Sequence, residues 1–157
     1  MSQPSRYLWV PIEAGWRVTL SGYIAGNHPP WLEWTHSNPN FQICVTVDRL
    51  RFQKQDEKLT LEKGSVLILQ PNEVHHSWGP PDPNTGFYFA RFVTSLMPTW
   101  RAMAPILNPK GPSVHITHTV IPERFQVTNL DTILSLFSEL TKVMRSDRPY
   151  SQVLANG

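Results

Sequence analysis

The stretch KGSVLILQPNEVHHSWG, residues 63–79, carries an apolar run into a proline and then sets two histidines side by side. Imidazole ligates metals, moves protons near neutral pH and hydrogen-bonds to small polar molecules, so His75 and His76 raise three chemistries. A metal centre needs three or four ligands converging on one point. Neighbours on a strand point to opposite faces, so only one of these two side chains can enter a given cavity. The following SWGPPDPN brings no glutamate. His36, His115 and His118 lie in unrelated segments, and the three-residue spacing of His115 and His118 again gives opposite faces on a strand. The spacing therefore speaks against a metal site.

Catalysis has no better footing. GxSxG, CxxC and P-loop patterns are absent from the sequence,. Carboxylates gather in turns (Asp56, Glu57, Glu62) and on a late helix, and Glu73, two residues before His75, reads as a turn tie rather than an acid/base partner,. No catalytic residue, metal or cofactor is assigned, and the chain reads as a non-enzyme. What remains is a pocket. Trp34, His36, His75, Trp78, Phe87, Phe89 and Arg91 supply an apolar, aromatic wall with a few polar groups, the usual recipe for holding a small molecule,. Trp faces suit the C–H side of a sugar ring, while Arg and His donate to hydroxyls or a carboxylate.

These residues must be held by strands. WRVTLSGYIAG (16–26) alternates and ends in glycine. FQICVTV (41–47) sends Phe41, Ile43, Val45 and Val47 to one face and Gln42, Cys44 and Thr46 to the other,. LRFQ, a polar turn at KQDEK, and KLTLE predict a hairpin. SVLILQ (65–70) is apolar on both faces, as in a strand covered on both sides. GFYFARFV (86–93) puts Phe87, Phe89 and Arg91 on one face and Tyr88, Ala90 and Phe92 on the other, after the turn-rich GPPDPNTG,. Short strands at this spacing predict a small antiparallel barrel or jelly roll. Further on, a short helix is expected around Pro98–Ala104 and one strand in SVHITHTV (113–120). The clearest helix spans 129–145, capped by Asn129 or Asp131, with Lys142 and Arg145 at its negative end,.

One face of that helix carries Leu130, Ile133, Leu134, Phe137, Leu140 and Met144. At ~100° per residue, Leu136 and Val143 widen the stripe to about half the circumference. One barrel face needs less, so Leu136, Leu140 and Val143 are expected at a dimer interface, unless the segment PYSQVLANG covers them within the chain.

Bulk composition narrows the function classes. With 157 residues, 40% hydrophobic and 17% charged, the chain fits a single globular domain,. Fifteen prolines, against a usual ~5% of residues, favour loops and short strands,. A formal charge of +2 without a Lys/Arg cluster gives no grip on DNA,. The single Cys44 can form no intrachain disulfide, and neither a signal pattern nor an apolar run of ~18 residues occurs, so a soluble, cytoplasmic protein that does not enter membranes is expected,. SQVLANG reads as a second helix stopping short, which suggests a fragment cut before a further domain.

The order of features resembles a known family. LEKGSVLILQPNEVHHSW is similar to the segment Leu-x-x-Gly-Asp-x-x-Leu-x-x-Pro-Gly-x-x-His of arabinose-regulator-type (AraC/XylS family) transcription factors. FYFARF resembles their aromatic strand ending in His-Phe, and the late helix with PYSQVLANG resembles the helical segment joining their sensory barrel to the DNA-binding part. The similarity runs from about residue 7 to the end. Ser65 stands where the family has Asp, Asn72 where it has Gly, and Arg91 where it has His.

The resemblance implies a mainly β fold, a cupin-like double-stranded β-helix (a jelly-roll barrel, about 7–120) followed by C-terminal α-helices (about 129–157). It places Trp34 near a pocket arginine of the family, Phe87 and Phe89 at pocket positions, and His75, His76 and Trp78 at the rim. It makes Tyr7–Ile12 an arm folding over the ligand, which adds Trp9 to the ligand-binding set. The function implied is a sensing and dimerising domain that binds a small polar effector such as a sugar, with DNA contacted only through a domain outside these residues. A metal-dependent cupin enzyme, an isomerase or a dioxygenase, and a stand-alone carbohydrate-binding module are the alternatives.

Overall fold

A computed structural model describes residues 6–29, 31, 35–102, 111–114 and 117–146. They form a mainly β protein. Its strands are β1 Tyr7–Pro11, β2 Trp16–Ala25, β3 Phe41–Thr46, β4 Leu50–Lys54, β5 Glu57–Leu61, β6 Ser65–Leu69, β7 His75–Ser77, β8 Gly86–Thr94, β9 Thr99–Arg101, β10 Ser113–Val114, β11 His118–Pro122 and β12 Arg124–Gln126. The helix α1, Leu130–Arg145, follows. A central sheet has the order β12-β6-β3-β8-β2, a second β10-β11-β1-β9 and a third β5-β4-β7.

The central sheet is covered on both faces, and its sequence is the reason. The even positions of β3 and the odd positions of β8 point one way, so Cys44, Phe87 and Phe89 meet Leu50, Phe52, Leu59 and Leu61 of the β4–β5 hairpin around Trp31. The opposite positions, Phe41, Val45 and Phe92, meet Leu8 and Val10 of β1 together with Leu130, Ile133, Leu134 and Phe137 of α1. β6 needs apolar groups on both sides, and all five of its residues are buried. The expected hairpin is β4–β5, turning at Gln55 and Asp56 with Gln55 at φ 52°. Asn72, which stands where the resembled family has Gly, takes left-handed geometry, φ 63°, which asparagine tolerates better than most residues.

Three expectations change. Thr99–Arg101 is a strand, paired with Tyr7–Trp9 of β1, where a helix is predicted around Pro98–Ala104; Met103 and Ala104 lie outside the described residues. The region 113–120 forms two strands rather than one, because β10 and β11 fold back on each other with Ser113 opposite Val120. Tyr7–Pro11 is paired on both sides, by β9 and β11, with Leu8 and Val10 fully buried against the face of the central sheet opposite the Trp31 cluster. An arm over a ligand requires a free edge that β1 does not have.

The helix begins where expected. Asn129 accepts a hydrogen bond from the Thr132 amide, Asp131 sits in the first turn, and Lys142 and Arg145 occupy the last. Its fully buried position is Thr141; Leu130, Ile133, Leu134, Phe137, Leu140 and Met144 are all half-buried, the first four of them packed against the central sheet. Leu136 stays 60% exposed.

Candidate functional site

β7 delivers His75 to the space between the hairpin sheet and the central sheet, where it is 3% exposed, while His76 is half-buried. The two adjacent rings have different surroundings. His75 stacks on Phe52 with ring centroids 5.6 Å apart and planes 7° apart, and its Nδ1 lies 3.0 Å from the Glu73 carbonyl oxygen. His76 Nδ1 lies 2.6 Å from the Ser77 carbonyl oxygen. A carbonyl only accepts, so each Nδ1 carries a proton. Burial pushes the His75 pKa down to about 4; the bond to Glu73 opposes this, and the charges of His36, Arg91 and His76 add to it. At neutral pH His75 is therefore an uncharged imidazole whose Nε2 is left with its lone pair.

The partner of His75 comes from a segment far away in sequence. His36 and His75 exchange backbone hydrogen bonds, His36 N–H to His75 O at 2.8 Å and His75 N–H to His36 O at 2.9 Å, and their rings stack at 5.8 Å. Trp31 completes the slab, 5.7 Å from His36, 5.2 Å from Phe52 and 5.0 Å from Phe87. At 1% exposure Trp31 fills the interior between the sheets. The candidate set named Trp34, which lies outside the described residues. Both tryptophans sit in PPWLEWTH three residues apart, and no sequence signal chooses between them.

Beyond His75, β8 contributes Phe89 and Arg91. The Arg91 guanidinium lies 5.4 Å from the Phe89 ring, and its Nε donates to Gln42 Oε1 at 3.0 Å; Gln42 in turn donates to Cys44 Sγ at 3.2 Å, and Asn38 Nδ2 donates to Gln42 Oε1 at 3.3 Å. Burial lowers the Arg91 pKa and pushes the Cys44 thiol up to about 12. A thiol so held is no nucleophile at neutral pH. Glu73 is also committed. Its Oε2 accepts from the Gln70 amide at 3.0 Å and its Oε1 faces Arg6 and Lys54, each at 3.4 Å, so the carboxylate ties a turn and a charge cluster while only the carbonyl reaches His75. Among the described residues no group of three or more His, Cys, Asp or Glu side chains is arranged to hold a metal ion.

Trp78 stands at the other end of the slab. Its indole N–H donates to the Leu59 carbonyl at 2.9 Å, and Arg51 and Lys58 each lie 5.6 Å from its ring. Here a cavity of about 250 Å³ opens, lined by Trp31, Trp78, Arg49, Arg51, Asp82 and Thr85 among others. Compared with protein-family models and with curated proteins, the chain matches none. The site is thus read from geometry alone. It brings His36, His75 and Phe87 together around Trp31 and Phe52 and leaves Phe89 and Arg91 paired with each other further along the same face of β8. It sets Trp78 on the wall of a cavity that none of His36, His75, Phe87, Phe89 and Arg91 lines. It leaves Trp9 apart: that ring lies on β1, 5.6 Å from His118 and 4.9 Å from Arg101. Trp31, Phe52, Gln42, Arg49, Arg51 and Thr85 were not among the candidates. Phe52 and Gln42 could have been found by the alternation that found Phe87; the others required the fold. No helix among the described residues is long and apolar enough to cross a membrane.

Proposed function

We propose that the chain is the effector-sensing and dimerising domain of a bacterial AraC-type transcription regulator, with a cupin-type jelly roll holding a small polar effector such as a sugar. The observation that carries this is the division of labour on α1. Leu130, Ile133, Leu134 and Phe137, half-buried, pack against the central sheet, while Leu136 remains 60% exposed, with Leu140 and Val143, also half-buried, four and seven residues further on. That second stripe, at helical spacing, suits pairing with the same helix of a second copy. The aromatic cluster around Trp31 and the polar cavity that Trp31 also lines support small-molecule recognition,.

The mechanism is a population shift. An effector that binds one arrangement of barrel and helix more tightly biases how two DNA-binding domains, carried elsewhere in the full regulator, face each other, and it does so only by that difference in affinity. Sedimentation over a concentration series tests the pairing: a dimer is expected, and Leu136→Glu should yield a folded monomer with the wild-type circular dichroism and a Tm that no longer rises with protein concentration. A wild-type chain that stays monomeric at the highest soluble concentration overturns it. Titration with a labelled promoter duplex at physiological salt should show weak or no binding by these 157 residues; tight, site-specific binding would contradict the division between sensing and DNA contact.

A further inference from the structure

We infer that the cavity between Trp31 and Trp78 takes a small hydroxylated carboxylate, a sugar acid rather than a neutral sugar. This deepens the proposed function and rests on its premise that the chain holds a small polar effector. Two independent features of the cavity point to a ligand.

The first is a hydroxyl without a partner. Thr85 lines the cavity and is 4% exposed, and its Oγ1 is buried with no hydrogen-bond partner among the described residues. Its backbone carbonyl is already used by the Gly26 amide at 2.8 Å. Buried hydroxyls are almost always paired, and because Thr85 lines the cavity, a ligand pressed against it is the partner we assign to this one. Nor is the position loosely built: a side chain at Gly26 would sit 2.6 Å from the Asp82 carbonyl oxygen and 2.8 Å from Thr85 Cγ2.

The second is the sign of the charge. Arg51 leaves β4 and lies across Gly79, where φ is +81° and an added Cβ would fall 2.7 Å from Arg51 Cδ; the bare glycine is what lets the guanidinium lie beside Trp78. No carboxylate among the described residues pairs with Arg51. Arg49, on the same wall, has Glu62 at 3.8 Å, but both side chains are about two-thirds exposed, a geometry in which an ion pair contributes little,. Asp82 is the acidic group of the lining, and its Oδ1 accepts from the Asn84 amide at 2.9 Å. Among the described residues that line the cavity, two arginines face one aspartate. A guanidinium whose fork is open recognises a carboxylate through two parallel hydrogen bonds. A neutral sugar could satisfy Thr85 and Ser77, which also lines the cavity, but would leave Arg51 without a carboxylate among the described residues.

The test is calorimetric titration of the full chain at constant ionic strength. D-glucuronate, D-galacturonate and D-gluconate are compared with D-glucose, D-galactose and sorbitol. At least one acid should bind about tenfold more tightly than its neutral counterpart. The uronates and gluconate separate a ring-shaped ligand from an open-chain one. Arg51→Gln should abolish the preference for acid. Thr85→Val should weaken binding while leaving Tm unchanged or higher, since it removes an unpaired hydroxyl. Neutral sugars binding as tightly as the acids, with Arg51→Gln indifferent, would overturn the acid inference and leave effector sensing intact. Acid binding undiminished in both variants would move the ligand elsewhere and overturn this site. Binding of none of the six compounds would also overturn the inference, whereas failure of the sensing-domain reading would register separately in sedimentation and in the promoter titration.

Discussion

Ser21 Oγ and Thr141 Oγ1 lie 2.9 Å apart where α1 crosses β2, both buried. Ser21 Oγ also lies 3.1 Å from the Phe89 carbonyl oxygen, to which it can only donate,. Its single proton is thereby committed, so Thr141 is the donor to Ser21. The helix is fastened to the sheet by a directed polar chain as well as by its apolar stripe, and the two ends of that chain are unequal. Thr141→Val removes one donor and keeps the shape; Ser21→Ala strands the Thr141 hydroxyl and frees the Phe89 carbonyl. Urea unfolding should show Ser21→Ala costing about 1–2 kcal/mol and Thr141→Val about half as much. A larger cost for Thr141→Val than for Ser21→Ala would mean that the proton runs the other way.

Acid sensitivity should trace to His75. Its pKa falls from 6.5 in the unfolded chain to about 4 in the fold, first through burial. Between these values the unfolded chain binds a proton that the folded chain refuses, so stability rises with pH across this window and is lost as pH drops from 6.5 toward 4,. The full effect is about 3 kcal/mol. His36, Arg91 and His76 all face the ring with like charge or the potential for it and act in the same direction. His75→Gln should flatten the slope of unfolding free energy against pH between 4 and 6.5. A variant as acid-sensitive as the wild type would assign that slope to other groups.

Much of this arrangement was legible in the residues. Alternation placed Phe87, Phe89 and Arg91 on one face and Phe92 on the other, and the double apolar character of β6 foretold a sheet covered on both sides. What alternation cannot read is a short element whose conformation is imposed by a partner. Thr99–Arg101 becomes a strand because β1 offers an edge, and three residues carry no period of their own. Polarity misled at Thr141: helical spacing from Leu130 through Phe137 leads to position 141, but a hydroxyl there does not look like core until Ser21 is known to wait for it. His36 meets His75 through a single bridge, a pairing without local sequence signature.

The Cys44 thiol should be chemically silent in the folded chain. It is 1% exposed, and burial pushes its pKa up to about 12, so both access and thiolate fraction are minimal near neutral pH,. Reaction with a chromogenic disulfide at pH 8 should proceed only as fast as the chain opens, and should accelerate in denaturant in step with loss of the native circular dichroism. Prompt stoichiometric labelling without denaturant would show a route to β3 that the two covering layers ought to close.

A strong single-residue effect is expected at Glu123. Its Oε1 receives Arg6 Nε at 2.8 Å and pairs with Lys54 Nζ, while the second acid of the cluster, Glu73, sits 3.4 Å from each cation. Glu73, Glu123 and Lys54 are all buried, so the charges have little water to fall back on. The group joins residues of the β1 entry, β4, the β6–β7 turn and the β11–β12 junction, which makes it a tie between all three sheets. Glu123→Gln leaves two cations facing one remaining carboxylate, and breaking a buried pair in this way costs about 3–5 kcal/mol. Lys54→Met should cost a comparable amount, because it leaves Arg6 alone facing two buried carboxylates. Because the cost of each single change is mainly an uncompensated charge, Lys54→Met combined with Glu123→Gln should be more stable than Glu123→Gln alone, with a coupling of about 1–3 kcal/mol in the double-mutant cycle. Strict additivity in urea unfolding would show that the four side chains do not act as one group.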